Sequence, residues 1–258
     1  LDDKSLVEIT LEMIRKAKDI EVKESVHFKY YILLSGQDYL TKPITVINAK
    51  LNESYPQPFI DCTPYDKNNW VYHKFTNSSS VRKFNAWVSS LKKNSLWRKG
   101  FRVVYLIYKR IINILHKSDF YRLTNLGCKL YGGSAWWILP DRVINFIMDE
   151  YIHQPYYLSL LLNTYTPEET FFQIMTMRSD CKDLVEVNPK TMVAQNCKTW
   201  AYFFDEGKPF KGHPYIFTKQ EYEKLINKDC WFARKFDITQ SSEILDMLND
   251  YLDNYRIV

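Results

Sequence analysis

The sequence lacks the short motifs that mark most nucleotide-binding and hydrolytic enzymes. No Gly-x-Gly-x-x-Gly, Gly-x-x-x-x-Gly-Lys, His-Glu-x-x-His or Gly-x-Ser-x-Gly occurs in it. These absences argue against a Rossmann dinucleotide site, a P-loop, a zinc protease and an α/β-hydrolase nucleophile. An Asp-x-Asp pair is missing too. An enzyme of this sequence that handles a nucleoside diphosphate would therefore need cations of its own to neutralise the departing phosphates.

Cysteine is sparse and long apolar runs are missing. The five cysteines, an odd number, stand far apart with no Cys-x-x-Cys pair, so we expect reduced, mostly buried thiols. No apolar run is long enough to span a bilayer, and the N-terminus does not resemble a signal peptide. The chain starts at Leu1 instead of Met, so we expect it to begin partway through a longer gene product. We expect a cytoplasmic location, with a peripheral position on the inner face of the membrane as an alternative.

What is present is the composition of a folded protein. The 258 residues are 46% hydrophobic and 25% charged, which predicts one domain over residues 1–258. Aromatic residues make up 16% of the chain. Such rings fill cores and also form platforms for flat or ring-shaped ligands.

The positive charge is concentrated in one stretch. The net charge is +5, but residues 92–122 hold nine Lys and Arg against Asp119, a net +8, so the rest sums to −3. Because aromatic residues such as Trp97 and Phe101 lie among the cations, two interpretations fit. The stretch is either a core-packing helix with solvated lysines or a surface that docks on anionic lipid or nucleic acid. Of these two partners, nucleic acid is the less favoured, since the whole chain is only mildly basic.

Hydrophobic periodicity predicts helices alternating with strands in the first part of the chain. Residues 6–19 carry apolar side chains at near-helical spacing, and residues 44–51 predict a short helix after Pro43. The run FKYYILLSGQD is typical of a buried strand that ends in a polar loop, and QPFIDCT is a candidate for the next strand.

The same alternation continues to the end of the chain. Residues 81–116 are helical in pattern, with a break or a bend expected near Asn94, Ser95 and Gly100, and YGGS predicts a turn. AWWIL, KTWAYF and CWFARKFD are strand candidates, and Pro140 is expected in the first turn of the helix that follows AWWIL. This order indicates the α/β class with a mixed central sheet flanked by helices.

The segment TPEETFFQ carries two adjacent carboxylates. Thr166, Pro167 and Glu169 fit a helix start, as N-cap, first helical residue and partner in a capping box. That ordinary role explains the segment by itself. The same helix N-terminus would also keep a carboxylate ionised and able to accept a proton. Glu168 and Glu169 are too close in sequence to flank a glycosidic bond, which argues against a hydrolase.

Two further segments carry candidate ligand-binding groups. In CWFARKFD, Arg234 and Lys235 are either solvated edge charges or the partners of a phosphate. In AWWIL, Trp136 and Trp137 cannot both face inward on a strand, so one of them is a candidate for a cleft. Asp38 closes the polar end of LLSGQD, where ligands of α/β sheets bind.

In their order, these segments resemble a known family. YYILLSGQDYLTK, YGGSAWWILPDRVINFI, TPEETFFQ and HPYIFTKQEYEKL followed by FARKFD are similar in sequence and spacing to the core-2/I-branching β-1,6-N-acetylglucosaminyltransferases, a family that includes peptide O-xylosyltransferases. The resemblance runs from about Leu6 to the end of the chain. It implies a GT-A type fold and inverting transfer from a UDP-sugar to a glycan or lipid-linked glycan hydroxyl, with no cofactor and no metal ion.

The resemblance also implies residue roles. Glu169 matches the family's general base, with Glu168 beside it, and Lys235, next to Arg234, matches the lysine that contacts the donor diphosphate. A second cation of the family falls near Gly212, so Lys211 or His213 would have to take its place. Residues 133–136, with Ser134 and Trp136, match the segment that lines the cleft. Trp137, which follows them, and Glu168 are expected to line the cleft as well.

Two features qualify the resemblance. Ala135 stands where xylosyltransferases often carry an acidic residue, which favours N-acetylglucosamine over xylose as the donor sugar. Family members also have a strand, a helix and a strand before the helix expected at Leu6. We therefore expect either a truncated chain or an incomplete donor site. A basic membrane- or nucleic-acid-binding module without catalysis remains the alternative function.

Overall fold

The computed structural model describes residues 6–66, 71, 75, 87, 96–164, 166–185, 200–202 and 215–255. Within this part of the chain the strands are β1 (Tyr30–Ile32), β2 (Asp38–Leu40), β3 (Phe59–Ile60), β4 (Thr63–Pro64), β5 (Tyr131–Gly132), β6 (Trp137–Pro140), β7 (Trp200–Tyr202) and β8 (Phe232–Arg234). The molecule is of mixed helix and strand, as predicted.

The described helices alternate with these strands. They are α1 (Leu6–Glu24), α2 (Ile44–Ser54), α3 (Leu96–Asn125), α4 (Asp141–His153), α5 (Pro155–Leu162), α6 (Phe171–Thr176), α7 (Tyr222–Ile226) and α8 (Ser242–Asp253). Single turns of 3-10 helix lie at Pro167–Glu169, Lys182–Leu184 and Lys219–Glu221.

β6 is the middle strand of the first sheet. It pairs antiparallel with β1 and with β3, so that Tyr31 lies opposite Leu139 and Phe59 opposite Ile138. All four residues of β6 are buried, as its apolar sequence and central position require. Because β6 runs antiparallel to both neighbours, its start lies at the same edge of the sheet as the ends of β1 and β3.

β8 is the middle strand of the second sheet. It is antiparallel to β2, with Asp38 opposite Arg234, and parallel to β7, with Ala201 opposite Ala233. The start of β2 and the ends of β7 and β8 therefore share one edge. β4 and β5 form a separate short pair in which Thr63 lies opposite Gly132.

Three groups of buried side chains hold these layers together. The largest lies between the first sheet and helices α1, α4 and α6, and includes Trp137, Leu139, Ile144 and Phe172. A smaller group packs α8 under the second sheet. The third joins Ile47 of α2 to Ile138 of β6 and Phe232 of β8. Since it contacts both sheets, this third group keeps their edges side by side.

α1 shows how the apolar pattern places a helix. Val7, Leu11 and Ile14 are buried, at positions i, i+4 and i+7 of one face. Leu6, which the pattern also suggested for that face, is exposed. The helix runs to Glu24, five residues beyond the predicted end. Its last turns are fixed by Glu21, which accepts hydrogen bonds from the Tyr31 hydroxyl and the Phe28 N–H and pairs with Lys18.

Several sequence predictions about elements need correction. α3 runs without a break through Gly100 and continues to Asn125; one glycine costs a helix only about 1 kcal/mol, which a long helix tolerates. Residues 81–95 lie outside the described residues except for Trp87. Pro140 is the N-cap of α4 and not a residue of its first turn. The described strands form three small sheets in place of one central sheet, and the GT-A fold stays a prediction.

Candidate functional site

Polar side chains collect where the edges of the two larger sheets meet. Ser35 follows β1, Asp61 follows β3 and residues 133–136 lead into β6, so all three lie at one edge of the first sheet. At the second sheet, Arg234 ends β8 opposite Asp38 at the start of β2. A few polar groups that converge from different loops are typical of a ligand site. We therefore describe this meeting of edges as the candidate site.

Arg234 joins the two edges. Its guanidinium donates a hydrogen bond to the Ser35 hydroxyl at 2.5 Å and lies 3.4 Å from the Asp38 carboxylate. On its other side it lies over the Trp136 ring, with 4.4 Å between Cζ and the ring centroid. Such a contact combines cation–π attraction with stacking of two flat groups. The side chain is 18% exposed, so part of a fixed, planar cation faces the open side of the site.

Asp38, expected to bind the ligand, lies behind Arg234 instead. Its side chain is completely buried. Its Oδ2 accepts hydrogen bonds from the N–H of Ser35 at 2.6 Å and from the Ser35 hydroxyl at 2.7 Å. A carboxylate held in this way fixes the guanidinium that it faces. Asp38 therefore positions Arg234, and its contact with the donor stays a prediction.

The two tryptophans take opposite positions, as the alternation of a strand requires. Trp136 is half-buried and lies against Arg234, and its place in a cleft stays a prediction. Trp137 is 1% exposed and packs against Phe172, with 4.9 Å between ring centroids. The prediction that Trp137 lines the cleft is wrong, because its side chain fills the main core.

Ser134 is a buried support of the site. Its N–H donates to Asp61 Oδ2 at 3.3 Å, and its carbonyl accepts from Gln173 Nε2 at 2.6 Å. Its hydroxyl accepts a hydrogen bond from the Trp136 N–H at 3.3 Å. These bonds fix the path of residues 133–136, so Ser134 sets the position of Trp136.

Gly133 is required for close packing and not, as the YGGS pattern suggested, for an unusual backbone angle. Its φ lies outside the left-handed region. A Cβ added at this position would lie 1.7 Å from the carbonyl oxygen of Asp61. The strand end at Asp61 can approach the segment this closely only because residue 133 has no side chain.

Asp61 and Gln173 are the site residues that the sequence analysis missed. Asp61 is 7% exposed, and burial raises its pKa to about 6, although the hydrogen bond from the Ser134 N–H acts in the opposite direction. Gln173 is fully buried, and its Oε1 has no hydrogen-bond partner within the described part of the chain. One signal was available for Asp61, since it follows an apolar strand as Asp38 does. Gln173 lies inside a helix and carries no comparable signal.

Glu169 lies in the 3-10 turn at Pro167–Glu169. Thr166 is the N-cap and Pro167 begins the turn, as predicted. The predicted capping box is not formed: Thr166 adopts a left-handed conformation with φ 58°, no side chain caps the turn, and the Thr166 hydroxyl lies 3.4 Å from Glu169 Oε2. Glu168 and Glu169 are both partly exposed.

The backbone connects Glu169 to the cationic edge. The carbonyl of Glu169 accepts a hydrogen bond from the Gly133 N–H at 2.9 Å, and Trp136 lies against Arg234. Three peptide links separate Gly133 from Trp136, so their Cα atoms are at most about 11 Å apart. The carboxylate-bearing turn and the guanidinium therefore belong to the same part of the molecule.

Lys235 follows Arg234 directly, at the end of the parallel pair β7 and β8. Its carbonyl accepts a hydrogen bond from the Phe217 N–H at 2.9 Å, and its side chain is partly exposed. In the described part of the chain no carboxylate forms an ion pair with it. Lys211 and His213, the candidates for a second cation, lie outside the described residues.

Other features of the described residues lie apart from this site. A cavity of about 600 Å³ is lined by residues at the end of α3 and around α6, among them Cys128, Tyr131, Tyr156 and Arg178, and by none of the predicted site residues. No group of three or more His, Cys, Asp or Glu side chains in residues that the structure describes is arranged to hold a metal ion. None of the described helices is both long enough and apolar enough to cross a membrane.

No protein-family model matches the chain, and no curated protein matches it either.

Proposed function

We propose that this protein is an inverting glycosyltransferase that moves a sugar from a UDP-sugar to the hydroxyl of a glycan or lipid-linked glycan, without a metal ion. The observation that carries the proposal is the single backbone segment, residues 133–136, that contacts Glu169 at one end and Arg234 at the other. The resemblance to the branching transferases assigns these two regions to the general base and to the donor diphosphate.

The chemistry needs a base and a cation on opposite sides of the transferred sugar. Glu169 takes the proton from the acceptor hydroxyl as that oxygen attacks the anomeric carbon. The new bond forms on one face while the bond to the β-phosphate oxygen breaks on the other, and UDP leaves with the bonding electrons. Inversion follows from this in-line displacement.

Two neighbouring cations support the departing diphosphate. The charge of Arg234 is partly offset by Asp38 at 3.4 Å, whereas Lys235 has no such carboxylate among the described residues. Lys235 is therefore the stronger electrostatic partner for the developing charge. Arg234, held over the ring of Trp136, would orient the diphosphate through its fixed N–H groups.

N-acetylglucosamine is the donor sugar that we propose, with xylose as the alternative. The proposal rests on Ala135, which leaves this place in the cleft segment without the acidic side chain that xylosyltransferases often carry. The neighbouring groups are Ser134, which is buried and hydrogen-bonded, and Trp136, which is partly exposed. An apolar ring beside a small residue suits the acetyl group of a larger sugar.

Thermal unfolding with a panel of nucleotide sugars tests this function. Because a ligand that binds only the folded state stabilises it by mass action, UDP-N-acetylglucosamine should raise the Tm by about 5 °C or more at a hundred-fold excess over its Kd. ADP-glucose is the control and should leave the Tm unchanged. A shift in Tm with UDP-xylose alone would identify xylose as the donor sugar. Equal Tm values with all compounds would contradict the proposed glycosyl transfer.

A further inference from the structure

Helix α3 exposes an unusual number of large aliphatic side chains. Six of them between residues 103 and 114 are 51–64% exposed: Val103, Val104, Leu106, Ile107, Ile111 and Ile114. Isolated exposed aliphatic residues are ordinary on a soluble protein, but a continuous group on one helix marks an interaction surface. We call these six side chains the aliphatic stripe.

The stripe occupies one side of the helix. At 100° per residue, Val103, Ile107, Ile111 and Ile114 fall within an arc of about 80°, and Val104 and Leu106 extend it on either side to about 160°. The less exposed residues Phe101, Tyr105 and Tyr108 recur at i, i+4 and i+7 on the opposite side. The aromatic side of α3 therefore faces the protein, and the aliphatic side faces outward.

Cations accompany the stripe. Arg102 and Arg110 are exposed and Lys109 is partly exposed. On the helical wheel Arg102 and Lys109 flank the stripe on one side, and Arg110 lies within it, where its long side chain can reach away from the aliphatic groups. Residues 92–122 as a whole carry a net +8 in a chain of +5.

We propose that α3 lies flat on an anionic membrane surface, with the aliphatic stripe inserted among the acyl chains and the cations on lipid phosphates. An exposed apolar face bordered by Lys and Arg is the pattern of helices that lie in the plane of the interface. Each Lys or Arg near an anionic bilayer adds to the attraction. The helix is about 45 Å long, and it is not apolar enough to cross the bilayer.

The positive charge of α3 favours an anionic membrane over a second copy of this chain as the partner of the aliphatic stripe. A symmetric dimer through α3 would place the same surface of each copy against the other. Arg102, Lys109 and Arg110 of one copy would then lie close to the same cations of the other across an apolar contact of low dielectric, where like charges repel strongly. An anionic bilayer offers the opposite charge over the whole length of the helix.

Co-sedimentation with vesicles tests the proposal. The protein should bind vesicles that contain phosphatidylglycerol, and bind phosphatidylcholine vesicles much more weakly, with affinity falling as salt rises. The triple variant Ile107→Ser/Ile111→Ser/Ile114→Ser should lose at least about ten-fold in affinity. The variant Arg102→Glu/Arg110→Glu should lose about thirty-fold or more.

Matched controls and a second measurement keep the test decisive. Val22 and Ile238 are 82% and 86% exposed outside α3, so Val22→Ser/Ile238→Ser should bind vesicles like the parent. Equal binding by the stripe variant and this control would overturn the proposal, as would no binding by the parent protein. Sedimentation velocity without lipid should show a monomer; a dimer that the stripe variant abolishes would assign the surface to a second copy. UDP affinity should be the same in all of these variants, because α3 does not contribute to the candidate site.

Discussion

At the scale of single residues, the candidate site depends on side chains that fix other side chains. Asp38 and Ser35 hold Arg234, and Ser134 holds Trp136. The apolar run before Asp38 indicated that residue, whereas only the family resemblance indicated Ser134. The sequence also predicted that Asp38 contacts the ligand. The burial of Asp38 could not be predicted from its neighbours, because it depends on Arg234, which is distant in sequence. Trp137 was misplaced for a similar reason: alternation showed that one tryptophan faces inward, but not which one.

Asp61 gives a prediction about pH. Its pKa in the folded protein, about 6, lies above the ordinary value of 3.8 because the carboxyl group is buried. Folding therefore favours the neutral form, and the stability that this form provides is lost as pH rises from about 3.8 through about 6. The variant Asp61→Asn should gain stability relative to the parent as pH rises, by about 1 to 3 kcal/mol between pH values of about 4 and about 7.5.

Urea unfolding of both proteins across this pH range measures the difference. Gln240→Asn, which changes an exposed residue without a titratable group, is the control, and its difference from the parent should not change with pH. A constant difference between the Asp61 variant and the parent would mean that Asp61 titrates at its ordinary value in the folded state.

At the scale of elements, the sequence predicted the positions of helices and strands near the site better than it predicted which strands pair with each other. The strands at 200–202 and 232–234 were expected from apolar and aromatic runs, and α2 begins where Pro43 predicts. The pairing of β2 with β8 brings together residues almost two hundred positions apart, and no local pattern encodes it. The division into three small sheets follows from such long-range pairing, so the sequence predicted only a mixed sheet.

The close contact between the end of β3 and the segment after β5 gives a second prediction. In Gly133→Ala the new methyl group would lie 1.7 Å from the Asp61 carbonyl oxygen, so one of the two backbones must move. We expect a loss of about 2 kcal/mol or more in the free energy of unfolding, measured by urea denaturation. Gly36→Ala is the matched control, because no atom lies within 4 Å of its added Cβ and its φ is not left-handed. A Gly133 variant as stable as this control would show that the contact is not rigid.

At the scale of the whole molecule, charge is distributed between two separate surfaces. The proposed site includes Arg234, Lys235 and the turn at Pro167–Glu169, whereas the largest excess of positive charge in the sequence lies on and before α3. An enzyme that acts on a lipid-linked glycan would benefit from both, since a helix on the membrane keeps the site close to its acceptor. The family resemblance suggested the site, and only the exposure of the aliphatic side chains indicated which face of α3 is free.

We propose that Lys235 binds the donor diphosphate and that Glu169 takes the proton from the acceptor hydroxyl. Isothermal titration with UDP tests it most directly, using Lys235→Ala, Glu169→Gln and the control Lys219→Ala, whose lysine forms an exposed surface pair with Glu243. We expect Lys235→Ala to weaken UDP binding about ten-fold or more. Glu169→Gln and Lys219→Ala should bind UDP like the parent, and of these two variants only Glu169→Gln should abolish sugar transfer. Unchanged UDP affinity in Lys235→Ala would contradict the account.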